Sequence, residues 1–251
     1  MNDVVFTDIA RLLMAKYGKD AAFDKCVVVL GYNLPQCTPE SVRAKFPGHR
    51  IIIYQLEQLF NGSKWATQHA YNWLKTADEI WDYDLDNIEW LHKSGFRPKF
   101  MPLFFSDALR EIEHVEKDID VLFYGSPTQR RMQFMSYWMM KSCFKYTTVF
   151  ATGVQGEKLQ HFIGRSKIIL NLHAFDNDSR QEQVRLFYPI INNCCVVSEA
   201  SHRNYFGKSI VECKTLKEIP DTLHGLLDSG DWEKIAKSAA ETYRKHCDER
   251  K

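Results

Sequence analysis

The chain has 251 residues, of which 45% are hydrophobic and 26% charged, with a formal net charge of +1. That length supports one large domain or two small ones with real cores, and the balanced charge excludes a strong bulk grip on nucleic acid. No apolar run reaches the roughly 18 residues of a membrane span, and residues 1–20 place acids ahead of a short apolar stretch, unlike a secretory leader.

The seven cysteines (Cys26, Cys37, Cys143, Cys194, Cys195, Cys213 and Cys247) form no CxxC pair and no even framework. They read as reduced thiols in a cytoplasmic protein without structural zinc. The neighbours Cys194 and Cys195 read as small buried hydrophobes at a strand start.

In chain order, short apolar runs predict strands over 26–30, 50–54, 79–81 and 99–103, then over 120–124, 147–151, 167–172, 195–198 and 209–213. CVVVL, RIIIY, IDVLFY and KIILNL lack alternation, as strands buried on both faces of a parallel sheet do. Helical segments are predicted between them over 63–75, 128–144 and 179–192, as parallel crossovers require. A last amphipathic helix is predicted over 232–247. Residues 135–144, MSYWMMKSCF, are apolar nearly all round; they read as a helix packed on every side, with a membrane-docking face as the alternative.

The alternation of strand and helix runs twice, with a polar, acidic stretch between. The fold class is therefore α/β: two Rossmann-like lobes with mostly parallel sheets facing across a cleft. The lobes are placed at 1–106 and 107–232, and 233–251 is a C-terminal helix that can cross back to the first lobe.

The first strand runs into Gly31 without a G-x-G-x-x-G or Walker A loop, which weighs against dehydrogenase, methyltransferase and P-loop readings. The second lobe opens differently. DVLFYGSPTQRR is a strand, a small-residue turn and a helix start, where Gly125 and Ser126 permit close approach of an anion and Arg130 and Arg131 add charge. Next, GRSKIILNLHAF carries Lys167, Asn171 and His173. Glu182, Arg185 and Tyr188 follow on a helix, and Ser198 and Glu199 end a further strand. Ligands of open α/β sheets bind beyond the carboxyl ends of strands, so His173, Glu182, Arg185 and Glu199 are expected around one crevice, the carboxylates for sugar hydroxyls and the arginine for phosphate.

These motifs give the second lobe a resemblance. Tyr124-Gly125-Ser126, Arg130-Arg131, Ser166-Lys167-Ile168 with Leu170-Asn171 and His173, Glu182 with Arg185, and Val197-Ser198-Glu199 resemble the C-terminal lobe of CgeB-like glycosyltransferases of the GT-B class. Looser similarity in YQLEQL, WDYDLDN and MPLFF extends the match to about four fifths of the chain. The resemblance implies a nucleotide-diphosphate sugar held by the second lobe, a hydroxyl acceptor held by the first, and no essential divalent metal or other cofactor. It assigns the diphosphate to Gly125, Ser126, Arg130 and Arg131 with Lys167 or Arg185, and the sugar or ribose to His173, Glu182 and Glu199. Related retaining enzymes carry Glu-x7-Glu on this helix. Counted from Glu182, the second position falls on Ile190, with Tyr188 the nearest polar side chain, so ribose binding by a second Glu does not carry over.

In the first lobe Glu57 is the candidate general base, with His69 behind it. The acceptor reads as a glycan or lipid-linked saccharide. A hydroxylated base of viral DNA is a minority option, resting on a basic strip of Lys16, Lys19, Arg43, Lys45, His49 and Arg50. Two rival classes stand beside this reading. Asp82-Tyr83-Asp84-Leu85-Asp86 overlaps two D-x-D motifs of the metal-dependent GT-A kind, although Asp84 or Asp86 also suits a helix N-cap. The other rival is a nucleotide-binding module without catalysis.

Overall fold

All nine predicted strands form; the inner ones are buried almost throughout, while the two-residue strand Lys99–Phe100 at the edge of its sheet is exposed. The computed structural model describes residues 7–32, 37–176 and 179–250. The chain divides into two compact units, one over Ile9–Leu103 and one from Phe104 onward together with the residues before Ile9.

The first unit has a parallel sheet in sequential order: β1 (Cys26–Val29), β2 (Arg50–Gln55), β3 (Glu79–Asp82) and β4 (Lys99–Phe100). Strand β2 is inner and buried after its first residue. Helices α2 (Pro39–Lys45), α3 (Gln68–Thr76) and α4 (Leu85–Lys93) make the crossovers, and α1 (Thr7–Tyr17) precedes the sheet. Val29, Ile51, Ile53, Trp73, Leu74 and Leu91 share one core. Each crossover helix starts on an oxygen-bearing cap. Thr38 and Ser41 form a capping box, Thr67 accepts from Ala70 N, and Asp84 accepts from Asp86 N and Asn87 N. Such caps contribute about 0.5–2 kcal/mol each. The predicted helix over 63–75 therefore begins later, after Thr67, since residues before a cap lie outside the helix.

The second unit also has an all-parallel sheet, in the order β6-β5-β7-β8-β9. Its strands are β5 (Ile119–Tyr124), β6 (Thr148–Ala151), β7 (Ser166–Asn171), β8 (Cys195–Glu199) and β9 (Val211–Cys213). The chain leaves β5 to one side for β6, then returns across it to β7. This is the doubly wound 2-1-3-4-5 order, and its direction reverses between β5 and β7. Helices α5 (Gln129–Lys141), α6 (Gly156–Arg165) and α7 (Gln183–Ile191) connect the strands, and α8 (Glu218–Ser229) follows the last of them. Val121, Phe123, Phe134, Trp138, Ile168, Leu170 and Val197 build the core. At the end of α7, Asn192 is buried and fully used. Its Oδ1 accepts from Glu111 N (2.8 Å) and Ile112 N (3.0 Å), and its Nδ2 donates to the carbonyls of Leu109 and Tyr188.

Two expectations change. The final helix α9 (Asp231–Glu249) packs within the second unit, on α7, α8, β8 and the 207–209 turn, rather than returning to the first. Its buried stripe is Ala236, Ala239, Ala240, Tyr243 and Cys247, a helical spacing whose small residues permit close approach. Helix α5 is not packed all round either. Arg131, Phe134, Met135 and Trp138 face the sheet, while Met132, Tyr137, Met139 and Met140 are exposed. Among the described residues, no helix is long and apolar enough to cross a membrane.

Candidate functional site

The order reversal between β5 and β7 opens a crevice at the carboxyl edge of the second sheet, because the flanking crossovers depart to opposite sides. Five segments end there: the turn after β5, the first turn of α5, the end of β7, the start of α7 and the end of β8. They deliver Gly125, Arg130, Arg131, Asn171, His173, Glu182, Arg185, Ser198 and Glu199 into one continuous network.

Thr128 caps α5 and sets its first turn. From there Arg130 forks onto Glu199, Nη1 to Oε2 at 2.8 Å and Nη2 to Oε1, while its Nε meets Asp176. Arg131 turns inward and is only 2% exposed. It donates to the Leu172 carbonyl through Nε and Nη2, to the Ser126 carbonyl, and to Glu182 Oε1 at 3.1 Å. Burial, then the neighbouring Arg185, lower its pKa to about 10, so it stays charged at neutral pH. Arg131 is thus a strut tying α5 to β7 and α7. The expectation of a direct diphosphate contact fits Arg130, with its guanidinium nearer the surface, better than Arg131.

His173 joins the two arginine–carboxylate pairs. Its backbone N–H donates to Glu199 Oε2 (3.1 Å), Nδ1 lies 3.2 Å from Glu182 Oε2, and Nε2 lies 3.1 Å from the Ala200 carbonyl. Both ring nitrogens face acceptors, which suits the doubly protonated imidazolium. Burial alone would lower the His173 pKa, but bonding and attraction to Glu182, then the Ala200 carbonyl and Glu199, carry it above the ordinary value. Burial pushes Glu182 the other way, and His173, Arg185 and Asn171 hold its carboxyl below the usual range.

Arg185 lies over the turn after β5. A Cβ on Gly125, whose φ is +148°, would come within 3.0 Å of Arg185 Nη2. Glycine suits the conformation there, and a side chain would press on the Arg185 guanidinium. The guanidiniums of Arg131 and Arg185 lie 5.3 and 5.7 Å from the Phe123 ring, adding cation–π attraction from the strand beneath.

Pro189 locks this arrangement from inside α7. Proline has no N–H, so the carbonyl four residues earlier, on Arg185, loses its helical partner. The Tyr124 hydroxyl supplies one, donating to the Arg185 carbonyl at 2.6 Å. The last residue of β5 is thereby bonded to the turn of α7 that carries Arg185. Tyr124 was no predicted site residue, although Pro189 four residues after Arg185 was the visible signal.

The remaining predicted residues divide clearly. Asn171 and Ser198 are fully buried supports. Asn171 donates to Glu182 and Ser198 and accepts from Arg185 (2.9 Å), and Ser198 donates to the Glu199 carbonyl. Ser126 is exposed on the turn. Lys167 does not join the network. It stands at the amino end of β7, paired with Asp120 at 2.6 Å, about 13 Å along the strand from Asn171. Tyr188 does not join either. It lies farther down α7, where its hydroxyl meets Glu111 and Gln160, each at 2.8 Å. Sequence reasoning missed Asp176, and also Gln181 and Gln183, buried beside Glu182; the Nε2 atoms of these two glutamines have no hydrogen-bond partner among the described residues.

In the first unit, Glu57 follows β2 at the carboxyl edge of its own sheet. Its backbone is held by Gln55 and Asn87, both buried. Burial pushes its carboxyl up to about 7 against the pull of Lys64, into the range useful to a base at neutral pH. His69 is half-exposed, with Nε2 at 3.1 Å from the Tyr32 carbonyl.

Asp82 and Asp84 are both buried. Asp82 Oδ1 accepts from Asp84 N and Asn87 Nδ2, burial holds its carboxyl well above the usual range, and Asp84 caps α4. The D-x-D run is spent on the helix start. Among the described residues, no three His, Cys, Asp or Glu side chains gather as a metal would need. In the basic strip, Arg43 pairs with Asp78 and Arg50 with Glu79. A separate apolar cavity of about 420 Å³ lies between α1 and β1, lined by Leu13, Tyr17, Phe23, Val28, Leu30 and Trp81 among others, none a predicted site residue.

No family model matches the sequence, and no curated protein does. Solved structures do. The chain is similar to TarM at 9% identity and a TM-score of 0.55, over 80% of this chain and 48% of that one, so it spans about half the length of TarM. It also aligns with MurG of Acinetobacter baumannii (8% identity, TM-score 0.44, 89% and 69% of the two chains). A glycosyltransferase from Rickettsia africae aligns at 9% identity and a TM-score of 0.47, over 96% and 76%. At these identities the likeness shows the fold: an α/β chain of the GT-B type with two parallel sheets.

Proposed function

We propose that the chain is a glycosyltransferase that moves a sugar from a nucleotide-diphosphate donor to a hydroxyl acceptor. One observation carries the reading. At the order reversal of a doubly wound sheet, Arg130, Arg131, Arg185 and His173 gather with Glu182, Glu199 and Asp176 in one network of ion pairs and hydrogen bonds. That arrangement suits a diphosphate, with carboxylates at hand for hydroxyl groups. Backbone N–H groups after Gly125 and at the start of α5 add an anion cradle.

In the mechanism, Arg130 and the α5 terminus stabilise charge on the departing diphosphate. His173, with both ring nitrogens facing acceptors, adds to that field in its protonated form. Glu182 and Glu199 keep the cations aimed and accept from the donor's hydroxyls. Because these groups are fixed before reaction, little reorganisation opposes the step. Glu57 takes the proton of the acceptor hydroxyl, and the anomeric carbon is displaced directly. A glycan or lipid-linked saccharide is the acceptor class this reading favours. The buried commitment of Asp82 and Asp84 weighs against the metal-dependent rival, and turnover is expected to persist in EDTA.

The test is a thermal-shift screen with UDP-, GDP-, CMP- and dTDP-sugars. A donor at a hundred times its Kd adds about 2.7 kcal/mol, and its product should form in a transfer assay. Glu182→Gln, which keeps a partner for Arg131, should retain the fold and lose transfer. If no nucleotide sugar raises the melting temperature, the donor assignment is wrong. Binding without turnover would leave the module reading in its place.

A further inference from the structure

The outward face of α5 is unlike a solvated helix face. Gln129, Met132, Gln133, Ser136, Tyr137, Met139 and Met140 are all exposed, and none carries a charge. Exposed helix faces ordinarily carry charged residues. Met140 is 73% exposed, and Phe144, just past the helix end, is 71% exposed. The backbone is committed to that display. Cys143 and Phe144 both adopt left-handed conformations, φ 49° and 55°, which non-glycine residues rarely occupy.

Charge selects the occupant. From Val121 to Gly156 the sequence contains no Asp or Glu. Lys141 is exposed at the C-terminal end of the patch, and Lys145 follows it, paired with Asp228 of α8. A protein partner imposes no rule against acids across a whole segment. An anionic lipid surface does, because carboxylates are repelled by its headgroups while lysines are drawn to them.

We propose that α5 and the 143–144 turn form a peripheral docking face for anionic membranes, with Met140 and Phe144 inserting and Lys141 at headgroup level. The face is distinct from the order-reversal network, and the proposal does not depend on the sugar-transfer reading.

Flotation of the full chain decides it, using vesicles of phosphatidylcholine alone and of phosphatidylcholine with a quarter phosphatidylglycerol. The chain should float with the anionic vesicles and much less with the neutral ones. Met140→Gln with Phe144→Asn, both exposed and the second tolerant of a left-handed backbone, should lower partitioning at least tenfold at an unchanged melting temperature. Lys141→Glu should lower it several-fold. Failure of the native chain to float with either vesicle, or equal flotation of the double variant, overturns the proposal. So does a native dimer in light scattering that the double variant converts to monomer without any vesicle binding, which would make the face a contact between copies.

Discussion

The two sheets are both parallel and both built from β-branched runs, yet their carboxyl edges differ in chemistry. The first follows chain order, β1 to β4, with no reversal. Its edge collects Glu57, Asp82, Tyr32 and Tyr83, groups that burial drives toward the neutral state. The second reverses between β5 and β7, and its edge collects arginines paired with Glu182 and Glu199 and a histidine whose pKa, which burial would lower, is raised by contact with Glu182. A reversal separates neighbouring crossovers and opens a crevice. At the second edge the buried charges compensate one another, Arg130 with Glu199 and Arg131 with Glu182.

The largest expected effect breaks the charged edge. Glu182→Ala leaves Arg131 buried without its carboxylate and should destabilise by about 3–5 kcal/mol. Glu182→Gln should cost clearly less, with urea unfolding as the measurement. Equal costs would mean that the pair contributes no charge pairing.

Each lobe also hangs a loop on one buried asparagine. Asn192→Ala strands the N–H groups of Glu111 and Ile112, and roughly 2–4 kcal/mol of loss is expected. Asn87→Ala removes the partner of Leu59 N and of the Glu57 carbonyl, with a similar loss. Of these two changes, only that at Asn87 should also shift the pH dependence of turnover, because Asn87 helps Gln55 hold the Glu57 backbone.

A smaller effect sharpens the second edge. Tyr124→Phe should cost about 1–3 kcal/mol by orphaning the Arg185 carbonyl. In a Pro189→Ala background the restored N–H serves that carbonyl, so the same change should cost much less. Full additivity in this double-mutant cycle would refute the link.

The subtlest contrast is in pH. Glu57 has a raised carboxyl pKa, so the first lobe is favoured below the unfolded carboxyl value and loses stability as pH rises toward about 7. In the second lobe, the raised His173 contributes stability fully below its unfolded pKa and loses it as pH rises through the folded one. The lowered Glu182 contributes above its unfolded pKa and loses it as pH falls through its folded value. The His173–Glu182 pair is therefore strongest between those limits. Turnover should rise with pH through an apparent pKa near 7, a limb that Glu57→Gln abolishes. A pH–rate profile unchanged by that substitution would remove Glu57 as the base.

Much of the scaffold was legible in the residues. The strand runs are continuous apolar blocks that only a two-sided covering satisfies, and the boundary falls beside a polar stretch. Helix starts were unevenly legible: Thr128 caps α5 where its helix was expected to begin, whereas Thr67 caps a helix expected to start at residue 63. Within the site, the turn after β5 and the ends of β7 and β8 were readable from chain direction. Lys167 was misassigned against that same rule, because it begins its strand. Helix α5 was misread because composition gives the number of apolar residues and not which face is covered.

By itself the sequence determined the α/β class, the two lobes and the residue types gathered at the second edge, because apolar blocks, turn residues and strand direction are local properties. Tertiary structure alone decided who partners whom: Arg131 as a strut, Arg130 on Glu199, His173 between two acceptors, Tyr124 on the carbonyl that Pro189 vacates. Those roles depend on distances between segments tens of residues apart, and burial and hydrogen bonding across such separations exist only once the sheet has ordered its strands.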